Sequence, residues 1–180
     1  MKSTTKTVIT IAIIAALSAA LDLFAVIGLP TGIFSVSSFY LSAAFYMLFV
    51  YLWKWKGVVS VYVGMILASL FSGFSLFPLY GAWGNTLAAV LIVYGMKVLK
   101  RNIELKSVKD YAAIVILYVL ASALSGLWVI GGWVVVGILP SEAFQGALFT
   151  WWFGDVVVYL ILGTLLMKFV APLLKRFHLE

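Results

Sequence analysis

The positions of the basic residues constrain this chain more than any other feature. All 12 lysines and arginines fall in alternate breaks between long apolar segments. They occur at Lys2 and Lys6, at Lys54 and Lys56, from Lys97 to Lys109, and from Lys168 to Arg176. Cytoplasmic loops of membrane proteins collect Lys and Arg. The alternation therefore predicts an even number of crossings with both termini on the cytoplasmic side.

The composition predicts an all-α integral membrane protein with six transmembrane helices in a single domain, 1–180. Hydrophobic residues make up 65% of the chain and charged residues only 10%. A transmembrane helix needs about 20 apolar residues, so six of them use most of the sequence. The expected spans are 7–27, 33–53, 57–72, 83–97, 108–130 and 144–169. We expect Trp133 in an outer loop, Pro172 at the end of the last helix, and a multi-pass location in the cell membrane.

Several functions are excluded by missing residue types. The chain has no cysteine, and its only histidine is His178, so we predict no metal site and no cofactor. It has no glycine-rich phosphate loop with a lysine, so ATP hydrolysis requires other subunits. Its net charge of +6 is better explained by the positive-inside rule than by nucleic acid.

An enzyme is not expected either. Intramembrane aspartyl proteases need a Gly-x-Gly-Asp motif and a Tyr-Asp motif. In this chain Trp152 stands where the first glycine would be, and Leu21 precedes Asp22. Both motifs fail.

The first candidate functional feature is a stripe of small residues on the first helix, formed by Ala12, Ala16 and Ala20. Residues four apart share a helix face, so the stripe allows another helix to approach closely. A second small row, with Ala15 and Ala19, lies beside it. Two interpretations stay open: docking of a partner protein, or ordinary packing within the bundle.

The second feature is a pair of acids inside predicted membrane helices, Asp22 and Asp155. Such carboxylates are costly in hydrocarbon and usually mark a site or a relay. Asp155 is expected to be protonated, hydrogen-bonded to Asn85 or to tyrosines, or paired with a cationic ligand; a structural hydrogen bond is the alternative. Asp22 is a possible relay or site residue, or it simply reaches the outer interface.

The third feature is a group of aromatic, amide and acidic residues at the predicted outer side: Tyr80, Trp83, Asn85, Trp133, Glu142, Gln145, Trp151 and Trp152. Indole faces with a few polar groups suit a flat heterocycle. An interfacial aromatic belt explains any single tryptophan equally well. It does not explain Trp151 and Trp152 beside Asp155, so at least one of the two should point inward. The outer side has no Lys or Arg, which favours a neutral or cationic ligand.

Together these residues resemble the S component of an energy-coupling factor (ECF) vitamin transporter, over the whole chain. The resemblance implies capture of a small vitamin-like solute and its transfer to a transmembrane coupling subunit driven by two ATPase subunits. It assigns Ala12, Ala16 and possibly Ala20 to the coupling-subunit interface. Vitamin binding near the outer face is assigned to Trp83, Asn85, Trp133, Gln145, Trp151 and Asp155. The sequence shows no recognisable thiamine, riboflavin, biotin or folate pattern.

A sensory domain is the alternative function. The run Trp152-Phe153-Gly154-Asp155 resembles a Trp-x-Gly-Asp stretch in some bacterial integral-membrane sensory domains. Such a domain binds a ligand in the membrane without transporting it.

Overall fold

The computed structural model describes residues 3–28, 39–71 and 78–176, which form six helices and no strand. The helices are α1 Ser3–Gly28, α2 Ser42–Trp53, α3 Trp55–Phe71, α4 Pro78–Val98, α5 Val108–Val135 and α6 Ser141–Arg176. This confirms the all-α class. By length and composition, the spans Thr4–Phe24, Val108–Val135 and Ser141–Arg176 could each cross a membrane. The apolar helices α2 and α3 are shorter.

Two helices begin at positions that differ from the expected ones. Helix α2 starts at Ser42, not at residue 33, because Phe39 and Tyr40 are non-helical; residues 33–38 lie outside the described part of the chain. The hydroxyl of Tyr40 donates a hydrogen bond to Asp22 of α1, which ties this segment to α1. Helix α4 starts at Pro78 instead of residue 83, and proline suits the first turn of a helix because no intrahelical N–H bond is lost there.

Helix α5 does not end near residue 130, and Trp133 lies inside it instead of in a loop. Two glycines inside the helix, Gly126 and Gly132, serve close packing. A Cβ on Gly132 would lie 2.3 Å from Cε1 of Tyr80, and one on Gly126 would lie 2.9 Å from Cδ1 of Leu148. The helix ends just before Gly137, whose φ of +74° is favourable only for glycine.

The last helix continues past residue 169, and Pro172 does not end it. It contains a 3-10 turn at Ser141–Ala143, two π-helical turns at Tyr159–Gly163 and Leu166–Val170, and a final α-helical segment at Ala171–Arg176. The second π-helical turn interrupts the regular hydrogen-bond ladder directly before Pro172. The proline therefore lies in the first turn of a new α-helical segment, where it is tolerated.

Helices α1 and α3 pack with very little space between them. A Cβ on Gly64 would lie 2.4 Å from Cβ of Ser18 and 2.6 Å from the carbonyl oxygen of Ala15. In a bilayer, helices associate largely through such close van der Waals contact between small residues. The small row that packs within the bundle is therefore the one containing Ala15, Ser18 and Ala19, all of which are buried.

Basic residues gather at one end of the bundle, where an ion pair joins three parts of the chain. Nζ of Lys175 lies 2.9 Å from Oε1 of Glu104 and 2.5 Å from the hydroxyl of Tyr51, which itself donates to Glu104 at 2.8 Å. Nζ of Lys168 donates to the carbonyl oxygen of Leu105 at 2.8 Å. The end of α6 is thereby fixed to α2 and to the α4–α5 loop. We call this the basic end.

Substituting Gly64 should destabilise the bundle, whereas the same change at an open helical position should not. We expect Gly64→Ala to cost about 1–3 kcal/mol, since the methyl group meets backbone atoms that cannot move aside. Gly146→Ala on α6 is the matched control, because no described atom lies within 4 Å of its Cβ position. Alanine's higher helix propensity should make that control neutral or slightly stabilising. Thermal unfolding in detergent measures both; an unchanged melting temperature for Gly64→Ala would contradict the packing.

Glu104 should make stability depend on pH. Burial alone raises the pKa of Glu104, but hydrogen bonds from Lys175 and Tyr51 and the charges of Lys175 and Lys106 together lower it below the ordinary 4.5. A lowered carboxyl pKa stabilises the folded state above the unfolded pKa, and this contribution disappears as pH falls through the folded value.

We therefore expect Glu104→Gln to lower stability at pH 7 by roughly 1.5–3 kcal/mol, the typical worth of a hydrogen bond to a charged group. The difference from the wild type should shrink as the pH falls below 4.5 and through the lowered pKa of the folded state. Melting curves of both proteins between pH 3 and pH 8 measure this. A stability difference that does not change with pH would show that the charge of the Glu104 carboxylate does not stabilise the fold.

Candidate functional site

Asp155 lies inside the bundle on α6 and is only 2% exposed. Its Oδ2 atom receives no hydrogen bond from any described residue. A hydrogen bond to Asn85, one of the alternatives that the sequence left open, is not found among the described residues, and Oδ1 of Asn85 accepts from Ser125. Buried polar atoms are nearly always paired, and an unpaired carboxyl group is among the most costly exceptions. Asp155 is therefore a buried acid whose Oδ2 atom is available to accept from a bound molecule.

Trp151 lies one helical turn before Asp155 and connects three helices. Its indole Nε1 donates to Oγ of Ser125 on α5 at 3.2 Å, and that hydroxyl donates to Oδ1 of Asn85 on α4 at 2.7 Å. Asn85 and Ser125 are both buried. Residues four apart share a helix face, so Trp151 and Asp155 face the same region of the bundle.

Two further aromatic rings lie against Trp151. The Trp133 ring is perpendicular to it at 6.2 Å between centroids, and the Tyr40 ring lies at 6.3 Å. Of the two adjacent tryptophans, Trp151 is thus the one that joins the interhelical polar network. We call Asn85, Ser125, Trp133, Trp151 and Asp155 the central cluster.

Asp22 is buried beside this cluster. Its carboxylate accepts hydrogen bonds from the hydroxyls of Tyr40 and Tyr46. These two hydroxyls lie 3.1 Å apart, and the carboxyl group of Asp155 interacts electrostatically with Tyr40. Asp22 is therefore satisfied by tyrosines, in contrast to Asp155.

The helix that carries Asp155 changes its geometry directly after it. The π-helical turn Tyr159–Gly163 begins four residues later, and such turns occur frequently at functional sites. Tyr159 stacks on Tyr118 of α5 with centroids 5.1 Å apart. Gly163 leaves space for this arrangement, since its Cβ would lie 3.1 Å from Cε of Met47 and 3.4 Å from the Tyr118 hydroxyl.

The other predicted ligand residues lie away from the central cluster. The Trp83 ring packs on Tyr62 of α3 at 4.7 Å, and the Tyr80 ring stacks on Trp128 at 4.9 Å. Trp152 donates its indole N–H to the carbonyl oxygen of Val119 at 3.2 Å. Glu142 and Gln145 are exposed at the start of α6. The structure thus brings together Asn85, Trp133, Trp151 and Asp155, with Asp22 adjacent. Trp83, Tyr80 and Trp152 make the other contacts described above, and Glu142 and Gln145 are exposed.

The alanine stripe lies on the surface of the described bundle. Ala12, Ala16 and Ala20 are exposed, whereas the neighbouring row with Ala15 and Ala19 packs against α3. The two rows suggested by the sequence therefore have different environments. The stripe is an available flat surface, which we call the alanine face.

Sequence reasoning missed Tyr40, Tyr46 and Ser125. The spacing of Tyr118, Ser122 and Ser125 on α5 could have identified Ser125, because residues three and four apart form one helix face and all three side chains are polar. No local pattern marks Tyr40 or Tyr46. Their importance comes from Asp22, which is distant in sequence.

Comparison with known proteins places the chain in a family. The family model described as "ECF-type riboflavin transporter, S component" matches residues 2–172. No curated protein and no solved structure gives a significant match. The family consists of membrane-embedded, substrate-binding transporter subunits that work with an ECF module, so it is not an enzyme family and does not favour the sensory alternative. The basic-residue pattern and the alanine stripe already suggested an ECF S component. The chain belongs to the family of ECF-type riboflavin transporter S components.

Proposed function

We propose that this protein captures a small, flat, vitamin-like molecule outside the cell and delivers it to an ATP-driven coupling complex. The observation that carries this proposal is the family match over residues 2–172. The protein acts as a multi-pass subunit of the cell membrane with the basic end in the cytoplasm, as the positive-inside rule favours. The central cluster then lies nearer the outer side.

A neutral heterocycle is our first candidate ligand for the central cluster, and riboflavin leads this class because the matching family model carries its name. Riboflavin has an uncharged, flat ring system with an imide N–H between two carbonyl groups. The unpaired Oδ2 of Asp155 can accept from such an N–H, while the face of Trp151 offers a stacking surface. A cationic heterocycle is the second candidate, since the same oxygen could pair with a positive charge.

Delivery requires contact with the coupling subunit. The alanine face on α1 is exposed and consists of small side chains at four-residue spacing, which lets a second helix approach closely. Two ATPase subunits supply the energy, because this chain has no phosphate-binding loop of its own. The alanine face is the surface through which the movement of the coupling complex reaches the substrate site.

Riboflavin binding tests the substrate proposal. Titrating purified protein with riboflavin should quench flavin fluorescence, because the isoalloxazine ring stacks on tryptophan. Trp151→Ala should weaken binding by about tenfold or more, since aromatic stacking is worth roughly 1–3 kcal/mol in comparable base-binding sites. Asp155→Asn should weaken a neutral ligand less, and a cationic ligand at least about tenfold, because the amide keeps an acceptor but loses the charge.

Trp83→Ala is the matched control, since this tryptophan packs on Tyr62 away from the cluster. It should bind normally. If riboflavin does not bind the wild type, a panel of neutral and cationic heterocycles tests the wider class. If Asp155→Asn binds every ligand normally but melts at a lower temperature, the acid is structural and the site is misplaced.

Coupling is tested by a bulky side chain on the alanine face. Ala16→Trp should abolish assembly with the coupling subunit and uptake into cells, while the isolated subunit still binds its ligand, because the indole holds the two helices apart. Leu17→Trp is the control: Leu17 is 51% exposed on the same helix but lies outside the stripe. Loss of ligand binding by Ala16→Trp alone would show instead that the face contributes to the fold of the bundle.

A further inference from the structure

A cleft of about 440 Å³ opens at the basic end, between the ends of α2 and α4 and the loop that follows α4. Three basic side chains, Lys54, Lys97 and Arg101, line it together with Tyr51, Tyr94 and Asn102. These residues come from separate parts of the sequence, and the fold brings them to one concave surface. We call it the basic cleft.

The three charges of the basic cleft have no carboxylate partner within ion-pair distance among the described residues. The nearby acids are already engaged. Glu104 pairs with Lys175 and Lys106, and Asp110 accepts from the backbone amides of Asn102 and Ser107 at 3.0 and 2.9 Å. Arg101 lies within electrostatic range of Asp110 but forms no ion pair with it. Uncompensated charges on a concave surface favour an anionic ligand.

Structured turns hold the walls of the cleft in place. Lys54 adopts a left-handed backbone conformation (φ +54°) at the one-residue break between α2 and α3, and its amide donates to the carbonyl oxygen of Val50 at 2.9 Å. The amide of Arg101 donates to the carbonyl oxygen of Met96 at 2.8 Å. Tyr51, which lines the cleft, is held by Lys175, whose Nζ lies 4.4 Å from the centroid of the Tyr51 ring and donates to its hydroxyl. The cleft is thus a formed site.

Apolar surface adjoins the basic cleft. Tyr94, which lines it, is 39% exposed, and Val98 and Leu99 at the end of α4 are 79% and 50% exposed. A soluble phosphate compound would leave this surface unused. A molecule with a phosphate head and hydrocarbon chains would use both parts, and basic pockets between membrane helices on the cytoplasmic side bind such lipids.

We propose that the basic cleft binds the phosphate headgroup of an anionic phospholipid, with Val98 and Leu99 beside the headgroup and the acyl chains running along α4 from Tyr94 toward the membrane interior. The lipid phosphate neutralises Lys54, Lys97 and Arg101 and links the α2–α3 turn to the α4–α5 loop. This site is separate from the central cluster and does not depend on the proposed transport function.

Native mass spectrometry of the delipidated full-length protein in detergent tests this proposal with phosphatidylglycerol as the probe. Wild type should retain one phosphatidylglycerol, and phosphatidylcholine should not replace it. Changing Lys54, Lys97 and Arg101 together to Gln should weaken retention about 100-fold, since each basic residue near an anionic surface contributes roughly fivefold in affinity. The single variant Arg101→Gln, with an expected loss of about fivefold, serves if the triple variant does not fold.

A matched triple variant controls for net charge. Lys100, Lys109 and Arg176 are also two lysines and one arginine, all exposed, and none of them lines the cleft. Changing these three to Gln should leave retention unchanged. Equal loss in both triple variants would overturn the proposal in favour of unspecific charge attraction. Binding of glycerol 3-phosphate as tightly as the lipid would overturn it in favour of a soluble phosphate ligand.

Discussion

Close approach of helix backbones through small residues is the constraint on which this structure depends. In a bilayer the hydrophobic effect does not drive helices together, so van der Waals contact must. Five of the described glycines provide it: an added Cβ at Gly57, Gly64, Gly84, Gly95 or Gly132 would lie 2.2–2.7 Å from the facing helix or side chain. These positions join α2 to α3, α1 to α3, and α4 to α5. Glycine destabilises helices in soluble proteins, but here it lets neighbouring helices pack closely.

The polar network at the centre follows from that packing. Gly84 would place a Cβ 3.3 Å from the carbonyl oxygen of Ser125, so α4 and α5 are close enough for the neighbouring Asn85 to accept from the Ser125 hydroxyl. Trp151 of α6 then completes the network. Hydrogen bonds in a low-dielectric interior are strong, and leaving one partner out is costly. The unpaired oxygen of Asp155 stands out because it is the only carboxylate oxygen among the buried, unpaired side-chain atoms of the described residues.

The basic end and the interior of the bundle use charge in different ways. At the basic end, Lys175 and Lys168 bind Glu104 and a loop carbonyl group, and this fixes the end of α6 to the rest of the fold. In the interior, Asp22 and Asp155 have no basic partner among the described residues, and tyrosines satisfy only the first. A rigid, charged end and a polar interior with one open acceptor suit a protein that is anchored at one side and exchanges a small ligand within.

The sequence alone predicted four features, because each depends on hydropathy and on the positions of charges along the chain. They are the helical class, the number of helices, the concentration of basic residues at one end and the family resemblance. Helix ends were less predictable: Trp133 lies inside α5, and Pro172 inside α6, since glycine and proline act differently when a neighbouring helix or a π-helical turn accommodates them. Tertiary structure alone decided which aromatic residues meet. Trp151 and Trp152 are adjacent in sequence, yet only Trp151 joins Ser125 and Tyr40, because which way each side chain points is fixed by the rotation of α6 against α5.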